Sequence, residues 1–346
     1  MLFRSIVPCY NEEPKALREC IKSIYVAGGE KQIILVDNNS NETTKSTIRQ
    51  IKSYYPEVLV LEESRQGKRF AHSKGLQYAK YDIIVFVDSD TIINPFALIE
   101  ITKPFSDINI WAVAGQVKVI NKNESILTKS LSAMFWTSNN LFRKATSGAG
   151  YMGVIAGALG AYRKDLILKL EKGYLKQKFF GNRCLISDDR FLTMRIQTRF
   201  NKKVEYRQTA IAYTYMPISY KKAWKMIERW KRGELRETFV IWKEKISNAK
   251  LMFFDIQFNF IITLATTILK IFMLINTILH PSLMNIFYTL FWFVLVSTLY
   301  SSLMIVQNPK ELPYKLVWSL MYEFIFVFTF VQALINIRNQ GSWATR

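Results

Sequence analysis

Along the first hundred residues, short apolar runs alternate with stretches of helical periodicity, the pattern of βαβ units. Strands are expected at residues 3–7, 32–36, 58–61 and 83–87, and each of the last three follows a helix or a basic turn. The class is α/β: a mostly parallel sheet with helices on both faces. Asp37, Asp88 and Asp90 then share a position, at or just past the C-terminal end of a strand, in the crevice where open α/β sheets take ligands. A further strand pattern covers residues 109–120. Residues 125–145 read as an amphipathic helix with Met134, Phe135, Trp136, Leu141 and Phe142. This helix is either a core element or, given Lys129, Arg143 and Lys144 beside its aromatics, an interfacial one.

Residues 220–250 carry a stronger pattern. At 100° per residue, Trp224, Ile227, Leu235, Phe239, Trp242 and Ile246 form one apolar stripe, with lysines and arginines over much of the rest. The expectation is a helix in a lipid headgroup layer, provided Gly233 does not break it. Met226 and Trp230 lie off the stripe, which leaves Trp230 free to face something other than lipid. Beyond Leu251, residues 256–279 contain one charge, Lys270, and residues 283–306 contain none; each run exceeds the roughly 20 residues that cross a bilayer. A third apolar segment, 316–337, contains Glu323 and keeps its polar members in one half of the helical wheel. Arg338 and Arg346 after it, with Lys310 and Lys315 before it, favour the cytosolic side for both of its ends. The expected organisation is a catalytic domain over 1–218 and an amphipathic region over 219–250. A membrane region follows over 251–337, with two spans and an interfacial or re-entrant helix, and then a tail, 338–346.

Composition sharpens this. The 346 residues hold 47 Lys and Arg against 27 Asp and Glu, a net charge of +20, and nearly all of the excess precedes Leu251. Next to membrane-grade sequence, such an excess points to anionic lipid or a polyphosphate substrate rather than nucleic acid. Cys9, Cys20 and Cys184 lack Cys-x-x-Cys spacing, and two histidines argue against a zinc cage. A reduced, cytosolic catalytic domain is expected. Met1 runs at once into a strand pattern, so membrane insertion is expected to depend on the C-terminal part.

The chemistry concentrates in two acidic clusters. Asp88-Ser89-Asp90 at the end of a buried strand is either a solvated turn or a pair that holds Mg2+ or Mn2+, hard cations that favour carboxylate and phosphate oxygens. Ser187-Asp188-Asp189-Arg190 offers Asp189 as a general base, with Asp188 orienting and Arg190 restraining the cluster. Either aspartate could instead cap a helix beginning near Phe191. Gly67-Lys68-Arg69, between a strand and a helical pattern, is a phosphate-binding turn or a solvated one, and it lacks the P-loop spacing. The glycine-rich stretch 148–160 either lets backbone approach a sugar closely or forms tight turns.

Taken in order, Val7-Pro8-Cys9-Tyr10-Asn11-Glu12, Val36-Asp37, Gly67-Lys68-Arg69, Val87-Asp88-Ser89-Asp90-Thr91, Gly157-Ala158-Leu159-Gly160-Ala161-Tyr162-Arg163, Ser187-Asp188-Asp189-Arg190, Arg229-Trp230 and Ser342-Trp343-Ala344-Thr345-Arg346 resemble the processive, inverting family-two glycosyltransferases. Within that group they are most similar to hyaluronan synthases, then to chitin synthases and the chitooligosaccharide synthases of nodulation. The resemblance implies a GT-A nucleotide-sugar-binding domain in which Pro8, Tyr10, Glu12 and Asp37 contact uridine and Lys68 lies near the donor. It further implies that Asp88 and Asp90 serve nucleotide and metal and that Asp189 is the base. By the same likeness Arg229 contacts the donor diphosphate, Trp230 stacks on the acceptor sugar, and Trp343 and Arg346 belong to a gating loop that closes over the nucleotide. Met226, Ser187 and Ala344 depart from the family's glutamine, glycine and glycine. The flanking membrane helices of hyaluronan synthases are missing from this sequence, so a translocation channel would need a second copy or a partner membrane subunit.

The expected protein is therefore an integral, plasma-membrane inverting transferase with a cytosolic catalytic domain. It takes a sugar, N-acetylglucosamine or another, from a UDP-sugar donor to a growing glycan acceptor. Two alternatives stand beside it: transfer to a lipid phosphate, and a non-catalytic basic protein that binds polyanions at a membrane surface.

Overall fold

The computed structural model describes residues 3–200, 202–243 and 249–341. The chain opens with β1 (Phe3–Cys9), α1 (Pro14–Val26), β2 (Lys31–Asp37), α2 (Glu42–Tyr54), β3 (Leu59–Glu62), α3 (Lys68–Gln77) and β4 (Ile83–Phe86). These are the expected βαβ units, each strand end within two residues of its predicted place. Local chemistry sets the helix starts. Glu13 caps α1 by accepting from the amides of Lys15 and Ala16 with Pro14 in the first turn, and Asn41 caps α2 through Thr44.

After β4 come β5 (Ile92–Ile93), α4 (Ala97–Thr102), β6 (Ile110–Val119) and α5 (Ile126–Thr137); a π-turn over Ser138–Arg143 leads into α6 (Lys144–Gly148). Then follow β7 (Gly160–Arg163), α7 (Lys164–Lys176), a small hairpin of β8 (Lys178–Phe179) and β9 (Asn182–Arg183), α8 (Asp188–Phe200) and β10 (Lys203–Thr214). The main sheet has the order β3-β2-β1-β4-β7-β6-β10-β5. It is mostly parallel, with β7 antiparallel between β4 and β6 and β5 antiparallel on β10. One apolar core lies under α1, α2 and α4, with Leu17, Ile21, Ile48, Ile51 and Leu98, and a second lies under α3, α7 and α8, with Ala71, Leu166, Leu170 and Ile196.

The remaining helices are α9 (Tyr220–Lys243), α10 (Lys250–Leu279), α11 (Leu283–Gln307), α12 (Leu312–Met321) and α13 (Val327–Ile335), the last two joined by a π-turn over Tyr322–Phe326. Helix α9 runs unbroken through Gly233. Its apolar stripe is covered in part rather than open to headgroups along its length: Trp242 is exposed, and Ile246 lies outside the described residues. Ile227 packs with Trp318 and Phe326, and Leu235 with Phe330 and Ala333, because the third apolar segment covers it. Helix α5 takes the core alternative: Leu127 and Leu131 pack in the same cluster, while Lys129 donates to the Tyr314 hydroxyl.

Two helices among the described residues are long and apolar enough by length and composition to cross a membrane, Lys250–Leu279 and Pro309–Ile335; α11 is apolar over Leu283–Leu299 and continues as helix to Gln307. They differ in what covers them. Only 6% of the apolar stretch of α10 is buried, against 44% of that in 309–335. Lys270 on α10 pairs with Glu323 in the π-turn, so the charge in the third segment is neutralised against the first.

Candidate active site

Because β1, β2 and β4 are parallel, their C-terminal ends deliver the loops that follow to one rim of the sheet. Asp37 ends β2 buried, its carboxylate accepting from the Ser40 amide at 3.0 Å. The next residue, Asn38, donates to the carbonyls of Glu63 at 3.1 Å and Arg65 at 2.7 Å, and its side-chain oxygen accepts from the Gly67 amide at 2.7 Å. One buried amide thus pins the loop that leads into α3. Nothing in the sequence reading singled it out; a carboxamide directly after a strand-end aspartate was the available signal.

Gly67 sits at φ +132°, a backbone region open to glycine, and Lys68 begins the helix. The two cations that follow diverge. The Lys68 ammonium bonds the Asp88 carboxylate and lies 3.7 Å from that of Asp188. Arg69 turns into the core, donating at 2.8 Å to both the Tyr174 carbonyl and the Gln177 side chain. The turn is therefore not a solvated surface feature, and of its two cations only Lys68 faces the rim. Burial works against the Lys68 charge, but Asp188 and Asp88 outweigh it and raise its pKa above the ordinary lysine value.

Around this lysine the rim gathers its other groups. Ser89 donates to Glu12 at 2.7 Å, Gln66 to the Tyr10 hydroxyl at 3.0 Å, and the Cys20 thiol to the Asp88 carbonyl at 3.4 Å. Pro8 lies inside β1, opposite Val36. Asp90 is half-buried, with the Thr91 hydroxyl 3.5 Å from its carboxylate. Gly157 backs directly onto the pair: a Cβ there would lie 2.8 Å from the Lys68 nitrogen and 3.2 Å from an Asp88 oxygen. Close approach is thus the role of Gly157, whereas Gly148, Gly150 and Gly153 face open space.

The second acidic cluster arrives from α8. This helix begins at Asp188, three residues before its expected start, so the aspartates occupy its first turn rather than cap it. The helix dipole favours carboxylates there. Asp189 accepts from the Arg190 amide at 2.8 Å, and its carbonyl accepts from the Thr193 hydroxyl at 2.7 Å. The environment separates the two acids. Burial alone would raise Asp188, but Lys68, His72 and Arg69 hold it well below the usual carboxylate range. Asp189 is pushed up, first by burial and then by the charge of Asp188, despite Lys68. Two neighbouring carboxyls thus differ in how readily each holds a proton.

Helix α9 adds Arg229 and Trp230. Burial lowers the Arg229 pKa, opposed by the charges of Asp189, Asp188 and Asp88, and its Nε has no hydrogen-bond partner among the described residues. A half-buried guanidinium with a buried, unused Nε donor in the field of three carboxylates can take an anion. Trp230 meets Phe135 edge-on, with centroids 6.2 Å apart. His72 completes the lining, its Nδ1 at 2.9 Å from the Tyr174 hydroxyl and 3.9 Å from Asp188. Burial first, then Lys68, lower its pKa to about 3, so it stays neutral. The sequence reading missed His72, although it stands one helical turn after Lys68. Trp343 and Arg346 lie outside the described residues.

The carboxylates that would hold a metal are Asp88, which also bonds Lys68, and Asp90; no cluster of three metal-ligating side chains occurs among the described residues. That donor set fits a cation such as Mg2+ or Mn2+, which binds through one or two carboxylates and takes its other ligands from phosphates and water.

The rim thus gathers carboxylates, cations and an aromatic side chain at one edge of an α/β sheet, and comparison with known proteins gives the family. Residues 5–170 match the family Glycosyl transferase family 2. Over 242 residues the chain is 30% identical to an N-acetylglucosaminyltransferase of Bradyrhizobium diazoefficiens, covering 69% of this chain and 50% of that protein. Over 253 residues it is 30% identical to a hyaluronan synthase of Streptococcus pyogenes, covering 70% of this chain and 59% of that one. The chain spans between half and three-fifths of the length of these relatives. A mannosyltransferase from Pyrobaculum calidifontis, solved with GDP-Man and Mn2+, shares the fold with a TM-score of 0.69 at 19% identity, over 98% of this chain and 88% of its own. The chain carries a glycosyltransferase family 2 domain of GT-A fold.

Proposed function

We propose that this protein is a membrane-bound inverting glycosyltransferase that moves a sugar, N-acetylglucosamine or another, from a UDP-sugar to the hydroxyl of a growing glycan. The observation that carries this reading is Lys68, whose ammonium joins Asp88, on the donor rim, to Asp188, beside the candidate base. Pro8, Tyr10, Glu12 and Asp37 line the uridine end. Asp189, its pKa raised, takes the proton from the acceptor hydroxyl as that oxygen attacks the anomeric carbon, and the bond to the diphosphate breaks on the opposite face. Arg229 receives the leaving diphosphate with its free donor, and Lys68 stands beside it. A divalent cation on Asp90 and Asp88, when bound, would neutralise the charge that gathers on the diphosphate. Asp188 fixes Lys68, Arg190 restrains the base through its amide, and Trp230 offers a face to the acceptor ring. Trp343 and Arg346 would close the donor side.

We read α10 and α11, both largely exposed, as a spanning hairpin, and the segment 309–335, packed on α5 and α9, as lying against the catalytic domain at the cytosolic interface. In this reading the membrane is the plasma membrane and the catalytic domain faces the cytosol. A product channel would draw on a second copy or a partner membrane subunit.

Membranes bearing the protein, given radiolabelled UDP-sugars singly and in pairs with Mn2+, should form labelled glycan. Asp189→Asn should not. Equal product from the variant would exclude the mechanism, label confined to a lipid phosphate would move the acceptor to lipid, and no turnover with any donor would leave a binding role.

A further inference from the structure

Behind the acidic loop lies a charged cluster that the transfer chemistry does not use. Arg69, Arg195, Arg236 and Glu237 are each at most 1% exposed. Arg236 stands at the centre. It donates to the Ile186 carbonyl at 3.0 Å, the Ser187 carbonyl at 3.1 Å, the Gln340 side chain at 2.8 Å and Glu237 at 2.8 Å. Glu237 in turn accepts from Arg195 at 2.9 Å and from Gln177 at 2.9 Å.

Two of these acceptors immediately precede Asp188. Ser187 holds φ +51°, a left-handed conformation unfavourable to a residue with a side chain, and Arg236 grips its carbonyl. Helical spacing adds to this. Arg229 and Arg236 are seven residues apart on α9, hence on nearly the same face, so one rigid helix presents Arg229 to the carboxylates and Arg236 to the loop that carries them. A third acceptor, Gln340, belongs to the chain after α13. Gln340 is fully buried, its carbonyl accepts from the Leu185 amide at 2.8 Å, and the carbonyls of Asn339 and Arg338 accept from Arg232 at 2.7 Å and Asn182 at 2.9 Å.

We infer that Arg236 is a positioning residue: its single guanidinium sets the backbone of the base-bearing loop and, through Gln340, docks the segment that leads into residues 342–346, so that base alignment and tail docking are coupled. Lysine cannot replace it, because a lone ammonium does not reach a fork of separated acceptors.

The inference rests on the transfer reading for its rate arm, and it has a second arm that does not. Full-length protein in detergent would be compared as parent, Arg236→Lys, Gln340→Ala and Gln340→Glu. Trypsin cleavage after Arg338 reports docking of the segment, and turnover of UDP-N-acetylglucosamine with UDP affinity reports base alignment. Arg236→Lys and Gln340→Ala should speed cleavage by roughly tenfold or more as local opening becomes easier. They should lower kcat by up to about 100-fold, the effect of a misplacement near 1 Å, with KM and UDP affinity within about twofold of the parent. Gln340→Glu keeps an acceptor for Arg236 but loses the donor that the Gln340 amide gives to the Ile337 carbonyl at 2.6 Å, so it should lie closer to the parent than Gln340→Ala in both readouts. Unchanged cleavage in both variants overturns the inference, as does unchanged kcat. A merely structural role would lower UDP affinity along with kcat. If the parent turns over no UDP-sugar, the transfer reading falls and the cleavage arm alone decides the docking. If Arg236→Lys fails to fold, Gln340→Ala decides, since Arg236 then keeps its other acceptors.

Discussion

Gly233 sits in the interior of α9, where glycine costs about 1 kcal/mol relative to alanine, and the structure shows why it is there. A Cβ at Gly233 would fall 1.7 Å from the Ser187 Oγ and 2.5 Å from its Cβ. The hydroxyl can rotate away, but the Cβ is fixed to the backbone, so the loop itself must retreat by roughly 1 Å in a packed interior. Overpacking of this kind costs about 1–3 kcal/mol, offset by about 1 kcal/mol of helix propensity, so Gly233→Ala should leave stability lower by only about 0–2 kcal/mol. Catalysis should suffer more. Asp188 and Asp189 follow Ser187 directly, and a displacement near 1 Å should cost about 100-fold in kcat. The repair is specific. Without the Ser187 side chain the nearest atom to the new Cβ is the Ser187 Cα at 3.9 Å, so Ser187→Gly in the same chain should restore turnover. Ser187→Gly alone should be near neutral: it relieves about 1–2 kcal/mol of left-handed strain and loosens the unfolded chain by about 1 kcal/mol. Transfer from UDP-N-acetylglucosamine in membranes and thermal unfolding in detergent, measured on the three variants, test this. Full activity in Gly233→Ala, or a double variant no better than the single one, would refute it.

Asp189→Asn should lower kcat by about 10²–10⁴-fold while calorimetry finds UDP binding intact, since the base touches the acceptor and not the nucleotide. The acidic limb of the pH–rate profile should lie above the usual carboxylate range. Asp189 must be ionised to act, and burial and Asp188 hold its pKa up; Asp188→Asn removes the second cause and should move the limb to lower pH. Lys68→Met strands Asp88 and Asp188 without their shared cation, and breaking a buried pair should cost about 3–5 kcal/mol, read as a fall in the unfolding midpoint. Asp90→Asn should weaken calorimetric UDP binding in Mn2+ but not in its absence; equal loss in both would remove Asp90 from the metal.

Much of this arrangement was legible in the chain. Short apolar runs between helical stretches located β1 to β4, because parallel strands covered on both faces, as β1 and β4 are, read as continuous apolar sequence. With them came the rim position of Asp37, Asp88 and Asp90, since parallel strands end together. The antiparallel β7 was not legible. It is a four-residue strand inserted between two others, and its place depends on partners more than seventy residues away and about fifty residues away in sequence. The stripe on α9 was legible as apolar, but periodicity says that a face must be covered and not by what: protein covers Ile227 and Leu235, while Trp242 stays exposed.

Sequence by itself determined the class of the fold, the acidic and basic residues available to the reaction, and the presence of apolar helices fit for lipid. Its information is local: period, propensity and the identity of side chains. Only the tertiary structure decided that Lys68 faces Asp88 and Asp188 while Arg69 turns inward, that Asp188 and Asp189 ionise differently, and that Gly233 makes room for Ser187. Each of these depends on distances of a few ångströms between elements far apart in the chain, where charge, burial and overlap act steeply and no single segment holds the answer.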